Sequence, residues 1–326
     1  MDIPLSFLGM GTYVWCNGYI SLEAVMMLKQ RYMTLRMFQN KFQTEEACQQ
    51  HLFSIRWPDG FRCPNCGHER YYRIAGRLLF QCASCRHQTS LTAGTILHKT
   101  RTPLNVWFWA LFLVAHDKRG ISALALSREL EISYKTAWLL LHKIRRAMQK
   151  REEQYVLTGI VEMDEAYFGG PGEQPKAGRG TNKTPVLVAM ALTPQGKPKH
   201  LKMKAVPSVK GETIKHFVVN SLDSNVTIVN DGFRAYQGLE ASHRTLTMKF
   251  DPINNPDHMQ WAHKAISNAK AFIQGTYHGI KGKHLQAYLD EYDYRYNRRN
   301  FQGEWFNRLL SAALSAKTVT FAELTE

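Results

Sequence analysis

Two aspartates stand at the ends of apolar runs that read as strands, Ile160-Val-Glu-Met-Asp164 and Val226-Thr-Ile-Val-Asn-Asp231. If those strands are neighbours, their carboxylates meet, and paired carboxylates are hard oxygen donors suited to hard cations. Two magnesium ions about 3.5–4 Å apart stabilise both the attacking and the leaving oxygen at a phosphorus centre. The pair is therefore a candidate for metal-assisted phosphoryl transfer, a reaction that needs positioning and charge neutralisation more than covalent help from side chains. One acid at a strand end reads more simply as an exposed turn residue. The case rests on there being two, each behind a buried strand. In a regular strand, alternation is expected to set Glu162 and Glu165 on the opposite face from Asp164.

A second constellation lies upstream. Cys63-Pro-Asn-Cys66 and Cys82-Ala-Ser-Cys85 are separated by fifteen residues. Four thiolates so spaced can close a tetrahedral shell around one structural zinc ion. Tyr71, Tyr72, Leu78, Leu79 and Phe80 are strand-prone and Gly76 supplies a turn, so the gap fits a two-stranded ribbon. Four cysteines already complete the shell, so His68 and His87, close behind the two pairs, are assigned supporting or phosphate roles. Cys16 and Cys48 stay outside this scheme. Cysteines in metal spacing point to a reducing, cytoplasmic setting rather than to disulfides.

The charge is unevenly spread. Of the net +15, residues 51–150 hold sixteen Lys and Arg against five Asp and Glu. A basic block beside a zinc ribbon points to a polyanion, the phosphate backbone of double-stranded DNA. The same block contains a two-helix pattern. Ser122 can cap one helix and Ser133 the next, in which Ala137, Leu140, Leu141, Ile144 and Met148 form an apolar stripe. This reads as a helix-turn-helix with its second helix suited to a major groove. Lys135 and Thr136 in its first turn, and Lys143, Arg145 and Arg146 further along, are the candidate DNA contacts. Arg298 and Arg299, interleaved with tyrosines, are two more. The apolar run Leu104–Ala115, with Pro103 before it, spans only twelve residues. That suits a buried helix rather than a membrane span, and no membrane partner is expected. The N-terminus has no basic region, so no secretory signal is expected there. Residues 1–32 match no nameable element, and Met33 is the expected natural start.

The elements that must position these groups follow from periodicity. A helix over 44–52 is opened by Thr44 with Glu45 and Glu46 in its first turn. Strands are expected over 156–163, 185–192, 198–206, 225–230 and 245–250, with helices over 211–221, 257–274 and 283–298 and a mobile basic loop over 169–184. The whole is an α/β multidomain chain. It comprises an extension (1–41), a zinc ribbon with a preceding helix (42–92), a helix-turn-helix segment (103–150), a mixed sheet covered by helices (155–306) and a tail (307–326).

Val161-Glu-Met-Asp-Glu-Ala-Tyr-Phe-Gly-Gly170 resembles the first-aspartate motif of bacterial insertion-sequence transposases of the DDE type that carry an N-terminal zinc ribbon. Asn230-Asp-Gly-Phe-Arg-Ala-Tyr236 resembles their second-aspartate motif, and segments 263–278 and 288–299 their C-terminal region. The resemblance implies an RNase H-like core in the bacterial nucleoid, magnesium-dependent cleavage at transposon ends and strand transfer into target DNA. It also implies a homo-oligomer that holds two ends. At the third catalytic position the sequence departs from the pattern. DDE enzymes place a glutamate there, with a basic residue seven positions later on the same helix. Lys270 fits the basic position, and His263 stands where the glutamate belongs. His263 is ranked first for the role and Asn268 second. Glu291 is a weaker source of the missing charge, because Asp290, Glu291 and Asp293 read as a solvated helix face. The alternative function is a DNA-binding regulator whose nuclease-like domain is inert.

Overall fold

The computed structural model describes residues 33–74, 79–169, 182–255, 258–301 and 303–325. The expectations for 1–32, for Gly76 and Leu78 and for most of the 169–184 loop lie outside these residues. So does the expected helix start at Asp257.

The N-terminal body is built on α1 (Leu35–Lys41), α2 (Glu45–Arg56), the ribbon strands β1 (Tyr71–Ile74), β2 (Leu79–Cys82) and β3 (Gln88–Ser90), α3 (Leu104–His116), α4 (Ala123–Glu129) and α5 (Tyr134–Glu152). Thr34, Thr44, Ser122 and Ser133 cap their helices by accepting an N–H three residues on. Pro103 offers α3 no side-chain cap. Instead the Glu45 carboxylate reaches across from α2 and accepts the N–H groups of Leu104 and Asn105 at 2.9 and 3.1 Å. An anion at a helix N-terminus meets unsatisfied donors and the positive end of the dipole, so this bond ties α2 to α3. Arg56 closes α2 against the ribbon by donating to the carbonyls of Leu91 and Ala93, both at 2.7 Å. The ribbon is three-stranded, β1-β2-β3, where two strands were expected. Its Phe61 and Phe80 share one core with Phe38, Leu52, Trp107 and Phe108.

The C-terminal body carries a five-stranded sheet of order β6-β5-β4-β7-β8. Here β4 is Ile160–Phe168, β5 Thr184–Leu192, β6 Pro198–Ala205, β7 Thr227–Asn230 and β8 Arg244–Thr247. The first three form an antiparallel meander, and β7 and β8 run parallel to β4. Helix α6 (Gly211–Ser221) makes the crossover and covers Val161, Met163 and Ile228 on one face. Helices α7 (Gln260–Tyr277) and α8 (Leu285–Asn297) cover Ala166, Phe168 and Val229 on the other. The expected strands and helices are all present, with ends shifted by a few residues. After α8, α9 (Trp305–Ser315) turns back and buries Phe306, Leu309, Leu310 and Ala313 in the N-terminal core. Residues from 307 on, expected as a tail, thus begin as a packed helix; the short α10 (Phe321–Thr325) follows.

The two bodies meet where α5 lies against α8. Arg145 and Glu291 pair at 2.8 Å with side chains 3% and 2% exposed. Arg295 adds a second guanidinium to the same carboxylate at 2.7 Å. The Arg145 guanidinium also lies over the Tyr288 ring at 4.0 Å. Arg298 pairs with Glu152. The acids of α8 are therefore interior, not a solvated face, because α8 is roofed by α5 on one side and the sheet on the other. Asp293 accepts Met203 N–H at 2.7 Å. Asp290 accepts Gln286 Nε2 at 2.8 Å, and burial pushes its carboxyl up from 3.8 to about 7.

A carboxyl raised in the fold binds a proton that the unfolded chain has already lost. The contribution of Asp290 to stability should therefore be fully present below 3.8 and be lost as the pH rises from there to about 7. The expected slope reaches about 1.4 kcal/mol per pH unit. Asp290→Asn should flatten it, as read by urea unfolding at about pH 5 and about pH 8. An unchanged difference between those two measurements would remove Asp290 as the source.

Candidate active site

In the parallel β4–β7 pair, Glu162 stands opposite Val229. Asp164, in the middle of β4, and Asp231, just past the end of β7, each lie two residues further on, which brings them to the same end of this neighbouring pair. Two residues on is also the same face. Glu162 therefore shares the face of Asp164, contrary to the expectation, and only Glu165 turns to the other side. Glu162 is 6% exposed and its Oε2 accepts Ala262 N–H at 2.8 Å, in the first turn of α7. Desolvation raises its pKa. It fastens the helix that carries His263 to the strand that carries Asp164. A carboxylate inside an apolar strand run, which must find a partner once buried, is the signal that could have found it. Glu165 instead receives the Tyr236 hydroxyl at 3.4 Å. Burial first, and then Glu165, Asp164 and Asp231, hold the Tyr236 phenol well above its ordinary value.

The two aspartates are shaped by their own backbones. Asp164 Oδ1 accepts Glu165 N–H at 2.8 Å, and Asp231 Oδ1 accepts Phe233 N–H at 2.9 Å. Between Asp231 and Phe233, Gly232 has φ +83°, and a Cβ there would lie 2.8 Å from Thr247 Cγ2. Only glycine permits that turn beside β8.

From α7, His263 Nε2 approaches Asp164 Oδ2 at 3.3 Å. The bond to Asp164 raises the imidazole pKa against the opposing effect of burial. Asp164, Glu165, Lys183, His263, Ser267 and Lys270 line an open cleft of about 450 Å³. His263 and Lys270 are two turns apart and face the same space. Desolvation first, then Lys183, lowers the pKa of Lys270, while Asp164 opposes the shift. Asn268 is exposed on α7 and does not line this cleft. Glu291 is held by Arg145 and Arg295 and lies outside it as well. Lys183, at the edge of the basic loop, is a cleft residue that the motifs did not single out.

The four cysteines also come together. Their sulfur atoms lie within 4.8 Å of one another, with Cys63–Cys85 and Cys66–Cys82 at 3.6 Å. A tetrahedron with Zn–S arms of about 2.3 Å has edges of roughly 3.8 Å, so the cluster fits a zinc ion. Each pair closes the same turn, with Cys63 N–H bonded to His68 O and Cys82 N–H to His87 O, both at 2.9 Å. His68 and His87 thus serve the turns through their backbones.

The expected DNA contacts separate into two groups. Lys135 is exposed at the start of α5, and Thr136 beside it bonds Ser133 Oγ at 2.9 Å. Arg146 is half-buried and bonds Gln149. Lys143, Arg145 and Arg298 are interior, at 8%, 3% and 8% exposure. Lys143 donates to Ile96 O at 3.0 Å, and the two arginines are in the ion pairs already described. Arg299 donates to the carbonyls of Lys199 and Tyr296 at 3.1 and 2.8 Å, pinning the start of β6. The two-helix unit is present, and α5 is covered along most of its length, so Lys143 and Arg145 face the interior while Lys135 stays exposed in its first turn. No helix among the described residues is long and apolar enough to cross a membrane.

Two family models match the chain, a transposase zinc-ribbon domain over residues 43–88 and an ISXO2-like transposase domain over 156–297. The chain thus carries a transposase zinc ribbon followed by an ISXO2-like transposase domain. A relative of this transposase is the uncharacterised protein of transposable element ISH50 from Halobacterium salinarum, 26% identical over 274 residues. The match covers 78% of this chain and 91% of the relative. The relative is archaeal, so the likeness is not confined to bacteria. Among solved structures, the Mos1 strand transfer complex matches with 15% identity over 65% of this chain and 78% of that one, at a TM-score of 0.28. The Mos1 mariner paired end complex with Mn matches with the same identity and score, over 64% and 78%. At those scores the likeness carries no weight for the transposase.

Proposed function

We propose that this transposase binds the ends of its insertion sequence, cuts a DNA strand there and joins the freed end to target DNA. The observation that carries this reading is the pairing of Asp164 and Asp231 on adjacent parallel strands, with His263 and Lys270 facing Asp164 from α7. Three antiparallel strands followed by two parallel ones is the order expected of an RNase H-like core, with one acid in the middle of the first strand and one just past the end of the fourth. Asp164 and Asp231 would hold the divalent cations, most simply magnesium. When bound, these supply Lewis acidity at the phosphate and activation of the attacking oxygen. The chain's own groups do the rest. Glu162 fixes the start of α7, so His263 is held at Asp164 rather than left to roam. Lys270 offers a desolvated positive charge to a phosphate in the cleft. In the first step a water oxygen bonds to phosphorus and the strand's 3′ oxygen leaves. In the second, that 3′ hydroxyl bonds to a target phosphorus and a target 3′ oxygen leaves. Two ends held together require at least two copies of the chain.

The test is cleavage of a duplex carrying the element's terminal repeat, with magnesium or manganese. Wild type should cut it. His263→Ala should cut about a hundredfold more slowly or worse with unchanged DNA affinity, and His263→Glu should recover part of the loss. Binding without cleavage by the wild type under either metal would favour the regulator with an inert nuclease-like domain.

A further inference from the structure

Past β8 the chain makes a short closed turn, 248–255, that presents apolar side chains to solvent. Met248, Phe250 and Ile253 are 38%, 61% and 86% exposed. Scattered surface hydrophobics are ordinary; three in one braced turn are not. Asp251 Oδ1 accepts the N–H groups of Ile253 and Asn254 at 2.8 and 2.9 Å, and its Oδ2 accepts Asn254 Nδ2 at 2.9 Å. Asn255 bonds back to Asp251 O at 2.9 Å and donates through its amide to Lys249 O at 3.0 Å. Ile253 therefore stands at the tip of a rigid turn.

That tip is tied to the candidate active site by three routes. Met248 N–H bonds the carbonyl of Asn230, the neighbour of Asp231, at 2.7 Å. The Lys249 stem lies over Gly232, where a Cβ would be 3.3 Å from its Cε. The Phe250 ring meets His258 at 5.4 Å, and His258 meets His263 at 5.0 Å.

We infer that this turn is a wedge for the DNA duplex beside the phosphate to be cut. Ile253 enters between two base pairs, Phe250 gives the displaced base a ring to stack on, and Lys249 meets a flanking phosphate. The inference rests on the proposed function for its substrate. Isoleucine and phenylalanine are side chains of the kind that unstack base steps, and every base has a face that stacks on an aromatic ring. A turn already held by its own hydrogen bonds loses little freedom on inserting. The lysine beside the apolar tip favours a polyanion over an apolar protein face.

The experiment uses the full chain and a duplex carrying the terminal repeat, with 2-aminopurine placed in turn at each position around the cut. With Asp231→Asn in place to prevent cutting, fluorescence should rise severalfold at one position on binding. Adding Ile253→Ser should cancel the rise without lowering DNA affinity. In an otherwise wild-type chain, Ile253→Ser should slow cleavage about tenfold, and a mismatch at the affected step should restore it. At 86% exposure the substitution leaves the fold intact. A full rise with Ile253→Ser, or no rise at any position from a protein whose wild type cuts this duplex, would overturn the wedge alone. A wild type that neither binds nor cuts the duplex would take the proposed function down with it.

Discussion

Asp164→Asn should reduce strand cleavage by about 10⁴-fold or more, which at about 1.36 kcal/mol per decade is over 5 kcal/mol of lost transition-state stabilisation. Affinity for the terminal repeat should change little, because the proposed DNA contacts are basic and ribbon residues elsewhere. The substitution is nearly isosteric, and asparagine can still accept Glu165 N–H. It removes one of two adjacent negative charges. Without metal, the variant should therefore melt at or above the temperature of the wild type, since like charges one strand apart repel. With magnesium, the wild type should gain stability by mass action and the variant should gain much less. The two readouts separate a chemical role from damage to the fold. Cleavage at the wild-type rate would refute the assignment of Asp164.

Zinc removal should have a comparably large effect on a different property. A structural zinc site can contribute about 10–16 kcal/mol of apparent binding free energy at neutral pH, and in small ribbons that energy is folding energy. Cys63 and Cys82 are 3% and 0% exposed and belong to the core that also holds Leu52 and Trp107. Cys63→Ser, or a strong chelator, should therefore abolish zinc binding and open the ribbon. Trp57 lies against Phe80 at 5.4 Å and against Phe61 at 5.0 Å, so its fluorescence should report the change. Affinity for the terminal repeat should fall with it. The sheet that bears Asp164 and Asp231 should keep its magnesium-dependent gain in melting temperature. Retained zinc stoichiometry and end affinity in Cys63→Ser would refute the ligand set.

Much of this protein was legible from local sequence. A cysteine pair two residues apart makes its turn from its own backbone, so ligand spacing survives folding unchanged. Helices announced themselves through Thr44, Ser122 and Ser133, whose side chains cap only the residues just after them. Asp231 was legible because β7 is a short apolar run that a turn ends, whereas β4 continues past Asp164 to Phe168, where an end was expected. The bond from His263 to Asp164 was approached through the seven-residue spacing to Lys270, which places both on one face of α7.

Other assignments depended on residues far apart in the chain. Lys143, Arg145 and Arg298 look like any basic residues in a DNA-binding block. Their partners are Ile96, Glu291 and Glu152, distant in sequence, so nothing local marks them as interior. The acids of α8 were misread for the same reason, since a helix covered on two sides has no solvated face to offer. Residues 307 onward were read as a tail, although α9 completes the N-terminal core through partners distant in sequence. By itself, the sequence determined which groups can do chemistry, and which short segments carry them, because caps, turns and metal spacing are local. Only the tertiary structure decided which charges face solvent and which acids share a face, because burial depends on the elements packed against a helix or strand.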